Sequence, residues 1–165
     1  MKSLSEIQKL TLSAVFMALY IAIMFYTQSF AFGQYQIRIA TALYGLSALF
    51  PFLMVPLALA NMLSNLLLGG LGLLDMLGGG VVGLLTSAAI IYAKRMGCGN
   101  WCIFAAVTLI PGLLVPVWLA VILAIPYAAL VVSVLVGQCV CGVVSMLTVT
   151  ALERNTAVKP AMERR

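Results

Sequence analysis

The chain has 165 residues, 64% of them hydrophobic and only 8% charged, with a net charge of +5. Soluble domains carry roughly a quarter charged residues, so this composition and a mean hydropathy of +1.18 exclude a soluble domain and point to one integral membrane domain over residues 1–165. The basic residues sit at the chain ends and in one short loop, a topology pattern and not a nucleic-acid surface. The absence of histidine removes the commonest acid–base catalyst and metal ligand.

The charges divide the chain into long apolar runs: 28 residues between Lys9 and Arg38, 36 between Arg38 and Asp75, 18 between Asp75 and Lys94, and 57 between Arg95 and Glu153. A spanning helix needs about 20 apolar residues. The expected architecture is therefore all-α with six transmembrane helices, at 10–28, 39–53, 55–70, 75–93, 101–118 and 125–152. With six spans, eight of the nine basic residues fall on one side. The excess of Lys and Arg makes that side cytoplasmic and places both termini there. Arg38 and Asp75 fall on the outer side.

Taken in order, Ser5 is placed to cap a first helix long enough to be a span and not a cleaved signal. Ala14, Ala18 and Ala22 repeat as A-x-x-x-A on one stripe of it. Small residues at that spacing let membrane helices approach closely, either within the bundle or at a partner protein. The segment Thr27 to Ile39 is too polar to span. It suits an extended loop over the mouth of the bundle or a short strand, with Gln34, Tyr35, Gln36 and Arg38 alternating with smaller or apolar residues. Arg38 either snorkels to lipid phosphate, pairs with Asp75 or holds a ligand. Thr41 and Tyr44 are the polar handles of the second helix, and Pro51 and Pro56 break it from the third.

The stretch from Leu59 to Gly83 organises the chain. Two apolar runs meet at a glycine-rich joint formed by Gly69, Gly70, Gly72 and the trio Gly78, Gly79 and Gly80, with Asp75 between. Asn61, Ser64 and Asn65 precede it. Amides in a membrane helix bond to a neighbouring helix or face a cavity. Asp75 reads either as a helix cap or as a functional carboxylate at membrane depth. Pro111-Gly112 and Pro116 are expected to kink or break helix five, and such breaks free backbone groups that line cavities. Trp118 flanks the outer turn. Gln138 is a lone amide in helix six, as glue or as a ligand contact.

Cys98 and Cys102 are spaced C-x3-C without the two further ligands a zinc site needs, and Cys139 and Cys141 point to different helix faces. All four read as small apolar residues, and no cofactor or metal is expected. No G-x-x-x-x-G-K-[ST] motif occurs, so ATP hydrolysis cannot belong to this chain.

LANMLSNLLLGGLGLLDMLGGGVVGLL resembles the A-N-L-x-G-G-x-G-x-x-D signature of the QueT family, substrate-binding S components of energy-coupling-factor (ECF) transporters linked to queuosine precursors. YQIRIATALYGLSALFP resembles that family's Q-x-R-[IV]-[SA]-E-A-L segment, and VLVGQCVCGVVSMLTVTALER its last helix, which contains Gly-Glu. The likeness covers most of the chain. It implies an S-component bundle in the cell membrane, not an enzyme, that binds a 7-deazaguanine such as preQ0, preQ1 or queuine. It also implies docking through the Ala14, Ala18 and Ala22 stripe onto a transmembrane coupling subunit that carries two ATPase subunits.

Asp75, Arg38, Asn65 and Gln138 would then orient the substrate, and Tyr35, Tyr44 or Trp118 would stack on its flat base. Thr41 and Gln138 stand where the family commonly has Glu, which suits a less charged ligand such as preQ0. The rival readings are a stand-alone carrier for a small nucleobase- or vitamin-like solute, driven by a proton or sodium gradient with Asp75 titrating; a thiol-redox enzyme using Cys139 and Cys141; and a structural subunit without a ligand.

Overall fold

The computed structural model describes residues 4–31, 37–68 and 71–155. Among these the secondary structure is entirely helical. The six α-helices are α1 (Glu6–Tyr26), α2 (Gln28–Ala31), α3 (Met54–Leu68), α4 (Leu73–Arg95), α5 (Trp101–Leu123) and α6 (Tyr127–Arg154). Two 3-10 segments, Ile39–Ala48 and Pro51–Leu53, lie between α2 and α3. Ser5 caps α1 with a full capping box, its hydroxyl accepting from Gln8 N while the Gln8 side chain returns to the Ser5 N–H,.

Five helical stretches are long and apolar enough to cross a membrane: Glu6–Tyr26, Pro51–Leu68, Leu73–Arg95, Trp101–Leu123 and Tyr127–Arg154. The sequence suggests a sixth span at 39–53, but that stretch folds differently. It is the ten-residue 3-10 helix Ile39–Ala48, a break at Leu49 and Phe50, and one 3-10 turn at Pro51–Leu53. Its surroundings account for the difference. Ala40, Thr41, Ala42, Tyr44, Gly45, Leu46, Ser47 and Ala48 are all buried, and the segment packs against all five long helices. At Gly45 even a methyl group would run into Ser145 of α6, with Ile103 and Val149 close by. A 3-10 helix, with three residues per turn, is thinner than an α-helix and rises about 2 Å per residue against 1.5 Å. It therefore fits a narrow channel and covers more depth with fewer residues.

Of the kink or break expected in helix five, the break does not occur. Pro111 and Pro116 lie inside the continuous helix α5. Each removes one backbone bond, but both residues are buried among neighbouring helices, which hold the helix where its own hydrogen bonds are missing.

The bundle is apolar outside and polar within. Leu66, Leu67, Val121 and Val132 are among many large apolar side chains facing outward, while Arg38, Asp75, Asn61, Asn65, Thr86, Ser87 and Gln138 are buried. Water as solvent favours the reverse arrangement, whereas lipid forces polar groups to find partners inside. The apolar core itself centres on Tyr20, Met24, Tyr44, Leu49, Leu53 and Leu57, with a smaller cluster of Val82, Val115, Leu119 and Leu130 joining α4, α5 and α6.

One end of the bundle is pinned by polar bonds. Lys94 Nζ donates to Asn100 Oδ1 at 2.7 Å and meets Glu153 Oε1 at 3.2 Å. Asn100 Nδ2 donates to Thr150 Oγ1 and Glu153 Oε2. This knot fixes the end of α4, the start of α5 and the end of α6. The opposite end of α4, about 35 Å away for its 23 residues,, carries the candidate site.

Candidate functional site

Asp75 is the third residue of α4, and Gly72 takes the N-cap position with φ of 96°, a left-handed conformation that glycine adopts without strain,. Asp75 is therefore not the cap. Its carboxylate is fully buried and turned toward other elements. Trp118 Nε1 donates to Oδ1 at 3.1 Å, and Arg38 Nη2 stands 3.8 Å from Oδ2. Arg38, 3% exposed, does not snorkel to lipid. It heads the 3-10 helix and donates from Nη1 to Asn65 Oδ1 at 3.1 Å. Asn65 in turn donates from Nδ2 to the backbone carbonyl of Asp75 at 3.0 Å. Four elements thus converge on one buried ion pair: the 3-10 helix, α3, α4 and α5. Removing one partner of such a pair leaves an uncompensated charge, which typically costs about 3–5 kcal/mol.

The glycine trio lies inside α4, beyond the joint, and its role is close approach. A methyl group on Gly78 would sit 2.9 Å from the Trp118 ring, and one on Gly79 would sit 2.5 Å from Asn65 Nδ2. The missing side chains let the indole of α5 and the amides of α3 reach α4. Gly69 and Gly70 lie outside the described residues.

Beneath the ion pair the polar network continues. Thr41 Oγ1 lies 2.7 Å from Arg38 O and 3.0 Å from Gln138 Oε1, which joins the 3-10 helix to α6. Thr108 Oγ1 adds a 3.4 Å contact to the Gln138 carbonyl. Asn61 Nδ2 donates to Tyr44 Oη at 2.8 Å and to Gly79 O at 2.7 Å. Tyr44 Oη meets Tyr20 Oη at 3.4 Å, with their ring centroids 6.0 Å apart. An open depression of about 290 Å³, lined by Asn65, Leu66, Gly72, Leu73 and Met76, lies beside Asp75.

Among the residues expected to act together, the fold assembles Arg38, Asp75, Asn65 and Trp118 directly, and Gln138 through Thr41. Tyr44 is enclosed in the core, against Tyr20 and Asn61. Tyr35 lies outside the described residues, as do Gln34 and Gln36. The loop reaches the 3-10 helix from α2, with the Ile37 N–H donating to Phe30 O at 3.0 Å. Ala14, Ala18 and Ala22 are all exposed on α1, while Tyr20 and Met24 on its other side enter the core. The stripe is thus not used for packing inside this bundle. All four cysteines are free, and no group of metal-binding side chains occurs among the described residues.

Sequence reasoning singled out Asn65 but passed over Asn61 as a site residue. The signal was present in the spacing. Asn61 and Asn65 are four apart on α3, and Asp75, Gly79 and Gly83 are four apart on α4, so each set shares one helix face. The knot of Lys94, Asn100, Thr150 and Glu153 joins residues up to 59 positions apart and had no local signal.

A bundle with an apolar exterior, five helices of spanning length among the described residues and a charged, hydrogen-bonded cluster buried at one end is a multi-pass membrane protein. Residues 10–154 match the model of the QueT transporter family, and the chain belongs to that family. It is a membrane transport protein. No curated protein and no solved structure matches the chain significantly.

Proposed function

We propose that the protein is the substrate-binding subunit of a transporter that takes up a queuosine precursor, a 7-deazaguanine such as preQ0, preQ1 or queuine. The observation that carries this reading is the buried cluster of Arg38, Asp75, Asn65 and Trp118. A 2-amino-4-oxo-pyrimidine edge presents adjacent N–H donors beside a carbonyl acceptor. Asp75 is the complement of the donors and Arg38 of the carbonyl. Trp118, and Tyr35 in the loop, supply flat apolar surface for the rings. Thr41 and Gln138 are neutral, so Asp75 and Arg38 balance each other and a neutral base fits better than a cation, favouring preQ0 over preQ1.

In this reading the chain makes six passes, the 3-10 helix serving as an internal pass. Both termini lie in the cytoplasm, and the ion pair sits near the outer face of the cell membrane. The Ala14, Ala18 and Ala22 stripe supports docking onto an ECF coupling subunit with two ATPase subunits, because small residues left exposed at this spacing suit a close helix–helix contact.

The test is thermal stability of the purified protein in detergent against preQ0, preQ1, queuine, guanine and a panel of vitamins. A ligand that binds only the folded state raises stability by mass action. The expected result is a shift with one deazapurine that disappears in Asp75→Ala. A shift with an unrelated vitamin alone discards the queuosine assignment. Uptake in cells that lack any coupling module replaces the ATP-driven reading with an ion-coupled carrier.

A further inference from the structure

Asn61 makes two hydrogen bonds through one nitrogen, and this fixes the rest of its side chain. Gly79 O can only accept, so the amide group must present Nδ2 to it, and the orientation cannot be flipped. The second amide hydrogen goes to Tyr44 Oη. Both donors are then used, and Oδ1, which also lies close to Gly79, has no hydrogen-bond donor among the described residues, although Asn61 is only 3% exposed. Asp75 Oδ2 is in the same condition. It is fully buried, it accepts no hydrogen bond from the described residues, and the nearest Arg38 nitrogen is 3.8 Å away, beyond hydrogen-bonding reach.

Buried acceptors are almost always paired. Of the buried side-chain atoms without a partner among the described residues, Asn61 Oδ1 and Asp75 Oδ2 are the two that can only accept, and both lie against α4, since Asn61 is bonded to Gly79, which follows Asp75 by one helical turn of about 5.4 Å,. The neighbouring amide of Asn65 has no such opening. Its oxygen takes Arg38 and its nitrogen serves the Asp75 carbonyl, so the Asn65 amide is committed to the structure and the Asn61 oxygen is not.

We propose that Asn61 Oδ1 and Asp75 Oδ2 form a pair of acceptors that selects solutes carrying an exocyclic amine. One amine N–H goes to Asp75 and the other to Asn61. The inference rests on the reading of this site as a purine-like binding site, and adds Asn61 as the residue that reads the amine. A base without the amine leaves the Asn61 oxygen buried and unpaired.

The experiment compares affinities for preQ0 and its 2-desamino analogue, 7-cyano-7-deazahypoxanthine, in wild type, Asn61→Leu and Tyr44→Phe. Wild type is expected to favour the amine-bearing base by about a hundredfold, the combined weight of one bond to the Asp75 carboxylate and one to the Asn61 amide. In Asn61→Leu the ratio falls several-fold, to the share carried by the Asp75 bond alone, and in Tyr44→Phe it persists. If Asn61→Leu does not fold, Asn61→Ser removes the same acceptor. A purely structural Asn61 lowers both affinities together and leaves the ratio intact; that result, or a wild-type ratio near one, overturns the inference while the transport reading stands. If wild type binds neither base, the 7-deazaguanine assignment fails, and the pair is judged with isocytosine against 4-hydroxypyrimidine. Stabilisation by isocytosine that is absent in Asn61→Leu upholds the acceptor pair, and no stabilisation overturns it.

Discussion

Replacing Gly79 by alanine separates packing from helix propensity, because the two act in opposite directions. Alanine is the better helix former by about 1 kcal/mol. The new methyl group, however, would stand 2.5 Å from Asn65 Nδ2 and 3.2 Å from Asn61 Nδ2. Asn65 cannot swing aside freely, because it is held by Arg38 and by the Asp75 carbonyl. Displacing it loses a bond to a charged group worth about 1.5–3 kcal/mol and a neutral one worth about 1 kcal/mol.

The net expectation is a loss of about 1–3 kcal/mol. Gly80 is the internal control. Its methyl group would meet only the side chain of Met62 and, at 3.9 Å, the Ala58 carbonyl. Methionine has three rotatable bonds and yields easily, so Gly80→Ala should be neutral or gain up to about 1 kcal/mol. Two adjacent glycines in one triplet should thus respond with opposite sign in SDS-induced unfolding from mild detergent. Equal stabilities for the two variants would refute the reasoning.

Further outcomes follow from the same geometry. Trp118→Phe keeps a ring over Gly78 but removes the N–H donated to Asp75 Oδ1; it should cost about 1.5–3 kcal/mol by the same unfolding assay. With Trp101 replaced by Phe, the remaining indole should change its emission when ligand binds. Ala18→Leu combined with Ala22→Leu alters only exposed positions and should leave stability within about 0.5 kcal/mol and ligand affinity unchanged, while abolishing uptake in cells; normal uptake with these bulky residues removes the stripe from the docking role.

The helices were legible because lipid imposes a length and a polarity that composition records directly. The boundaries of α3, α4 and α6 fall within a few residues of their sequence-based positions, and the convergence of Arg38, Asp75 and Asn65 is anticipated by charges placed next to membrane-depth sequence. What hydropathy did not convey is thickness. Ile39–Ala48 reads as an apolar helix like its neighbours, but its shape is set by how little room Ser145, Ile103 and Val149 leave at Gly45. The prolines of α5 mislead for a related reason: local propensity predicts a break, and packing from α4 and α6 overrides it. Asp75 reads equally as a cap because its neighbours Trp118 and Arg38 are 43 and 37 positions away in sequence, where no local pattern connects them.

The internal 3-10 helix also bears on how the protein reaches the membrane. Its ten residues extend only about 20 Å, against a hydrocarbon thickness of about 30 Å, and it begins at a charged residue. A segment so short and so headed has no stable resting place among lipid chains by itself. It is expected to enter paired with α3 and to be enclosed as the long helices gather round it. Assembly of the buried ion pair and its network is thereby tied to completion of the bundle. Arg38 meets Asp75 only once α4 has been made, and Thr41 meets Gln138 only once the last helix has arrived, so a chain stalled before α6 has no finished site to offer.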